Sequence, residues 1–249
     1  MVDLRKNALF AVLFAICGQA QGQYYSRQLP NKSGDTVFIK REISGDAKDA
    51  QYQVYQAVYI ENNRTSKYYD RITDFDGKDY NENLRYLSDA FKIKFHENNL
   101  YGLPRKWCSL MEYKGLYYAY APSEWGANYQ FQINDSSITY YELDGGIVNA
   151  LISVKKISAR QYQLKMTRPE RDNGVAKTNI TTTNIYIIDP VKKIAVFESD
   201  YWPDYQLMVP AENIKMFPLI VNHCATGKVD EFGGDQINYK ALISNCKKQ

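Results

Sequence analysis

Apolar and polar residues alternate along much of the chain with a period of two, which is typical of β-strands. Asp35 to Arg41 and Gln51 to Ile60 are the first such stretches, and Phe91 to Phe95 repeats the pattern. Asn81 to Phe91 instead places Leu84 and Leu87 on one face of a helix. Ala211 to Met216 is predicted to form a helical turn. We therefore expect strands before residue 101 interrupted by one short helix, and a second helical turn near the carboxyl end.

A series of short strands with turn residues between them follows Trp107. The predicted strands are Leu116–Ala121, Tyr129–Ile133, Ser137–Leu143, Ile147–Ile157, Tyr162–Met166, Asn179–Ile188, Ile194–Glu198 and Gln206–Val209, with Ile237–Ile243 as a last strand-like piece. Closely spaced strands without helices between them favour an antiparallel meander. The predicted fold is mainly β, an antiparallel up-and-down barrel or a sandwich with one or two short helices, and the strand count does not choose between the two.

The first 22 residues have the three parts of a secretory signal peptide. Arg5 and Lys6 are positive, Ala8 to Cys17 is apolar, and Gly18 to Gly22 is small and polar. Bulky Ile16 before Cys17 argues against a lipoprotein signal. We expect a secreted or periplasmic protein with three parts: a signal peptide (1–22), a mixed β/α segment (23–101), and an antiparallel β meander with a carboxyl-terminal segment (102–249).

Composition and charge exclude several classes of protein. The 249 residues carry 31 Lys plus Arg against 28 Asp plus Glu, so the net charge of +3 gives little support for nucleic-acid binding. Mean hydropathy is −0.50, and no apolar run reaches the roughly 18 residues of a membrane-spanning helix. The charged fraction is 24% and 22 residues are Tyr, which is not the composition of a disordered chain. The sequence indicates no oligomeric state.

Three cysteines, Cys108, Cys224 and Cys246, remain after cleavage of the signal peptide. An oxidising compartment favours one disulfide among them, and the sequence allows three pairings. We predict Cys224–Cys246, because both residues lie in the terminal segment. His96 and His223 are the two histidines of the chain, which makes a zinc site of the usual kind improbable, and we predict no metal or cofactor.

Acidic residues supply the main candidates for catalysis and for cation binding. Glu142 with Asp144, and Glu198 with Asp200, are spaced to share one face of a strand, as paired carboxylates of a glycosidase would. They adjoin turns, however, where carboxylates are usually solvated. Asp76 and Gly77 lack the flanking acidic ligands of a calcium loop and predict an Asx turn. Because no nucleophile, phosphate-loop or metalloprotease motif occurs, we do not expect an enzyme.

Aromatic residues are the strongest oddity of the composition. They crowd between Tyr113 and Tyr141, around a turn that carries Trp125. Aromatic rings pack on apolar ligands and stack on sugars, whereas tyrosine also suits half-buried strands. The predicted ligand-binding residues are Trp125, Tyr118, Tyr120, Tyr129 and Tyr140.

The strands from Trp107 to Val209 resemble the lipocalin or calycin barrel. Gly102 and Trp107 stand where that family has Gly-x-Trp, although five residues apart, and Thr183 to Tyr186 stand where it has Thr-Asp-Tyr. The resemblance implies a barrel that encloses one small ligand. We therefore expect a non-catalytic binding protein for a small apolar or amphipathic ligand. The alternative is a carbohydrate- or protein-binding surface of exposed Tyr and Trp.

Overall fold

Twelve β-strands, three α-helices and one 3₁₀ helix form the part of the chain that the structure, a computed structural model, describes: residues 36–43, 53–123, 129–142, 145–172, 175–200, 205–224 and 231–247. The strands are β1 (Thr36–Ile43), β2 (Gln53–Glu61), β3 (Lys106–Tyr113), β4 (Leu116–Ala121), β5 (Gln130–Ile133), β6 (Ser137–Glu142), β7 (Gly145–Lys156), β8 (Gln161–Asp172), β9 (Val175–Asp189), β10 (Ile194–Ser199), β11 (Gln206–Pro210) and β12 (Leu219–Cys224). The helices are α1 (Lys67–Ile72), α2 (Tyr80–Phe91), the 3₁₀ helix (Ala211–Met216) and α3 (Tyr239–Lys247).

Eight of these strands close into an antiparallel barrel. Strands β5 to β11 follow one another as a meander, and β3 pairs with β11 on one side and with β5 on the other. Trp107 is opposite Pro210 in one ladder and Phe131 in the other, so the first half of β3 completes the ring. The sequence left barrel and sandwich open, and the pairing of β3 with both neighbours makes the fold a barrel.

The other four strands form an outer sheet in the order β4, β12, β2 and β1. It begins where the second half of β3, from Leu110 onward, leaves the barrel and pairs with β4. Strand β12 lies parallel to β4 and antiparallel to β2, with Leu219 opposite Ala119 and Glu61. A single strand, β3, thus belongs to both the barrel and the outer sheet.

A packed hydrophobic core fills much of the barrel. Its aromatic part joins Trp107 to Phe197 at 5.0 Å between ring centroids and Phe197 to Phe131 at 5.1 Å. Leu100 and Leu103, ahead of β3, pack against the same core. We call the end of the barrel where β3 begins the lower end, and the end where β7 begins and β10 finishes the upper end.

Helices cover the outside of the barrel. Leu87 of α2 packs on the outward-facing Val148 and Ala150 of β7. Tyr69 and Ile72 of α1, and Ile243 and Cys246 of α3, join a second core between the barrel and the outer sheet. None of the described helices is long and apolar enough to cross a lipid bilayer.

Two predicted strands are wrong. Phe91 to Phe95 is the end of α2 followed by unpaired chain, because Lys92 adopts a left-handed conformation with φ of 56° that ends the helix. Ile237 to Ile243 belongs mostly to α3, in which Tyr239, Ile243 and Cys246 return to one face at helical spacing. Over so few residues, the apolar positions fit both the two-residue period of a strand and the 3.6-residue period of a helix. Packing of α3 against β9 and β10 stabilises the helix.

The structure does not support the predicted Cys224–Cys246 disulfide. Cys246 is a free, buried thiol whose Sγ atom donates to the carbonyl oxygen of Ile187 at 3.4 Å. Helix α3 holds it against β9, whereas Cys224 ends β12 beside β2. Cys108 is also a free, buried thiol, as expected, and its Sγ donates to the Ile72 carbonyl at 3.3 Å.

Alkaline solutions should destabilise the protein through Cys108. Burial, with a smaller effect of Glu212, raises the pKa of this thiol from 9.0 to about 12. The unfolded chain releases the proton at about pH 9 and the folded chain retains it, so stability is complete below pH 9 and falls by about 1.4 kcal/mol per pH unit as the pH rises toward 12. Urea unfolding at pH 8, 9 and 10 should show a shallower decline for Cys108→Ala than for the wild type. Equal declines would contradict the burial of Cys108.

Candidate functional site

The structure brings two of the predicted ligand-binding residues together. Tyr129 and Tyr140 both face the inside of the barrel near its upper end. Tyr118 and Tyr120 lie instead on the outer sheet, next to Phe232 and away from the barrel interior. Trp125 lies outside the described residues. Because Tyr118 is 7% exposed and Tyr140 is fully buried, neither ring offers a face to solvent.

The strand ladders show which side chains line the upper end. Val148 and Ala150 face α2 outside the barrel, so Asn149 between them faces inward. Thr181 is opposite Met166, which belongs to the inner core, so Thr181 also faces inward. By the same rule the upper inner face consists of Ser109, Tyr129, Tyr140, Ile147, Asn149, Met166, Arg168, Thr181, Thr183, Ser199 and Gln206.

Tyr140 and Met166 form the floor of this upper inner face. The Tyr140 hydroxyl donates to Met166 Sδ at 3.0 Å, reaching from β6 to β8 across the intervening β7. The Tyr140 ring also meets Phe131 edge-on, with 4.7 Å between centroids. Both floor residues are fully buried. The packed core therefore begins at these two side chains.

Asn149 is the most unusual residue of the upper inner face. Its side chain is fully buried, yet neither Oδ1 nor Nδ2 has a hydrogen-bond partner within the described part of the chain. Every other buried side chain in this condition, among the described residues, lacks a partner at a single atom. A buried amide without partners costs about 1–3 kcal/mol. A buried amide in this condition requires an explanation, and a hydrogen-bonding group outside the described residues is one.

Thr181, on β9, is a second buried polar residue of the upper inner face without a hydrogen-bond partner among the described residues. It is 6% exposed, and its Oγ1 atom has no partner among the described residues. The next inward residue of β9, Thr183, is satisfied, because its Oγ1 atom lies 2.8 Å from Ser199 Oγ. Asn149 and Thr181 therefore flank Met166 with three hydrogen-bonding atoms unused.

Apolar and charged side chains mark the rim above these two residues. Tyr129 is 39% exposed and Ile147 is 37% exposed, although both belong to inward-facing positions. Arg168 Nε forms an ion pair with Glu170 Oε1 at 3.1 Å on the extended part of β8. The rim thus offers apolar surface and a charge pair that is already neutralised.

The other chemical candidates have structural roles where the structure describes them. The Glu198 carboxylate accepts the hydroxyls of Tyr186 and Tyr205, both at 3.0 Å, on the outside of the barrel. The Asx turn predicted at Asp76 is confirmed, because the Lys78 amide donates to Asp76 Oδ1 at 3.1 Å. Within the described ranges, no three His, Cys, Asp or Glu side chains are grouped to hold a metal ion.

Searches of protein-family models, curated proteins and solved structures find no match to this chain. The closed eight-stranded antiparallel barrel agrees with the architecture that the calycin resemblance implies. That agreement concerns the fold alone, so the function has to be inferred from the geometry of the site. Sequence reasoning missed Asn149, although an amide in the middle of the apolar run Ile147 to Ile152 is a visible signal.

Proposed function

We propose that the chain is a small-molecule binding protein whose ligand occupies the upper end of the barrel. The unpartnered amide of Asn149 carries the proposal, because it is fully buried and faces the barrel interior. A ligand group hydrogen-bonded to Asn149 and Thr181 removes the cost of leaving them unpaired. A closed barrel with a filled lower half and a site at its upper end is a common arrangement for holding one small ligand.

The lining favours a largely apolar molecule with one neutral hydrogen-bonding group. Asn149 and Thr181 are both uncharged, and each supplies a donor and an acceptor. Tyr129 and Ile147 offer apolar surface at the rim, where the rest of the ligand lies. The charge of Arg168 is neutralised by its ion pair with Glu170, so Arg168 does not favour an ionic ligand. An alcohol or a ketone with an apolar body fits these requirements.

The packed floor limits the length of the buried part of the ligand. Met166 lies directly opposite Thr181 in the β8–β9 ladder, and the Tyr140 hydroxyl reaches Met166 across β7, the strand that carries Asn149. The polar group of the ligand would therefore lie beside the contact between Tyr140 and Met166, with the apolar part toward the rim.

We also propose that this binding takes place outside the cytoplasm. The charged start and apolar run within residues 1–22, ahead of the described residues, support export. The amino-terminal sequence of protein recovered outside the cytoplasm should begin at or near Gln23, and an intact Met1 on that protein would refute export.

Binding of the neutral ketone dye prodan tests the function. Its carbonyl can accept from Asn149 or Thr181, and its naphthalene emission shifts to the blue in apolar surroundings. We expect Asn149→Leu and Thr181→Val to weaken prodan binding about tenfold, as the loss of a buried hydrogen bond does.

Ile180→Ala is the matched control, because Ile180 is the neighbour of Thr181 on the outward face and is 66% exposed. This variant should bind prodan like the wild type. Equal weakening in all three variants, or no blue shift with the wild type, would contradict a site at the upper end. Circular dichroism verifies that each variant is folded.

A further inference from the structure

A second concave site lies outside the barrel, where α1 meets the ends of β4 and β12. It is a pocket of about 400 Å³ lined by Lys67, Tyr68, Arg71, Ser123, Asn222 and His223. Its volume falls within the range of about 300–1,000 Å³ that small-molecule pockets occupy. None of its lining residues belongs to the upper inner face.

One wall of this pocket is held in place by a carboxylate. Glu231 accepts the Ser123 hydroxyl at 2.7 Å through Oε1 and the Asn222 Nδ2 group at 3.0 Å through Oε2. The Tyr120 hydroxyl also donates to Glu231, and the Ser123 amide donates to it at 3.3 Å. Four donors to one acceptor fix Ser123 and Asn222 at the pocket wall.

The base of the pocket is fixed by a contact between α1 and β12. The Tyr68 hydroxyl lies 3.3 Å from His223 Nδ1, which orients both rings. Because β12 pairs with β2 and β4 in the outer sheet, His223 is carried on a rigid strand. Tyr68 and His223 therefore hold defined positions at the base of the pocket.

Two positive charges line the opposite wall. Lys67 and Arg71 are four residues apart on α1, so they lie on the same side of the helix. Neither makes an ion pair among the described residues. The acidic residue between them, Asp70, lies 3.5 Å from Lys215 Nζ. Two cations against the single carboxylate of Glu231 leave the pocket with a net positive charge.

We propose that this pocket binds the oxyanion group of a small molecule, a phosphate or a carboxylate. Arg71 offers the planar fork that pairs with two anion oxygens, and Lys67 adds a point charge beside it. The proposal goes beyond the barrel ligand, because it concerns a different surface and an ionic rather than a neutral group.

Calorimetric titration of the full chain with inorganic phosphate and, separately, with acetate tests this site. We expect one of the two anions to bind, and Lys67→Gln and Arg71→Gln to weaken it about tenfold each, the loss of a charge-assisted hydrogen bond. Tighter phosphate binding identifies a phosphate site, and tighter acetate binding identifies a carboxylate site.

The control is Arg85→Gln on α2, an exposed cation that makes no ion pair among the described residues. It should bind the anion like the wild type. The proposal would be overturned if neither anion gave a heat of binding, or if the wild type and the α1 variants bound the anion with equal affinity. Prodan binding is measured on the same variants and should stay unchanged, so that failure at the pocket is distinguished from failure at the barrel.

Discussion

Replacing Trp107 with alanine is expected to lower the free energy of unfolding by about 3–5 kcal/mol. Trp107 is fully buried where β3 closes the barrel, and its ring contacts Phe197 at 5.0 Å between centroids. Its Nε1 atom donates to the Pro104 carbonyl at 2.7 Å, and alanine at this position leaves the carbonyl without its donor. The substitution would thus create a cavity in the hydrophobic core at the position where β3 closes the barrel.

Urea unfolding followed by far-ultraviolet circular dichroism measures this loss. Leu116→Ala is the control, since Leu116 begins β4 and is 60% exposed, and it should cost well under 1 kcal/mol. A loss below about 1 kcal/mol for Trp107→Ala would mean that Trp107 is not at the centre of the core.

Replacing Glu231 with alanine is expected to cost about 3 kcal/mol of stability, from hydrogen bonds to a charged group that are lost together. Tyr120, Ser123 and Asn222 donate to this carboxylate, and Asn222 is 2% exposed. The Phe232 amide also donates to the Tyr120 hydroxyl at 2.9 Å, so the change would loosen the segment that covers the outer sheet.

Asp235→Ala provides the comparison within the same segment. Asp235 accepts one hydrogen bond at an exposed position, from the Gly115 amide at 3.2 Å. Its replacement should cost less than about 1 kcal/mol in the same urea titration. Similar losses for both variants would contradict the role of Glu231 as the shared acceptor.

The antiparallel meander could be predicted from the sequence because its strands are neighbours along the chain. Strands β5 to β11 pair in sequence order, and their period-two alternation specifies which side chains face inward. The closure could not be predicted in the same way. It depends on β3 pairing with β5 and β11, which are distant partners that no local pattern indicates.

The outer sheet shows a second limit of local patterns. Strand β12 is a short apolar run after Pro218, and it is stabilised by parallel pairing with β4 and antiparallel pairing with β2. These contacts join segments about a hundred residues apart or more. Helix α1 was missed because its six residues are too few to show a helical period.

Of the predicted binding residues, Tyr129 and Tyr140 lie in the barrel, because part of the aromatic density falls on strands that line it. Tyr118 and Tyr120 shared that density, but they lie on β4, which leaves the barrel. The strand on which each tyrosine lies, rather than its residue type, decides whether it lines the barrel.

A crystal structure with 4-bromobenzyl alcohol tests the central claim of a ligand site at the upper end most directly. The hydroxyl should lie within hydrogen-bond distance of Asn149 or Thr181, and the anomalous signal of bromine should appear at the rim near Tyr129 and Ile147. A bromine signal elsewhere, together with an Asn149 amide bonded to other groups of the protein, would contradict the proposed binding function.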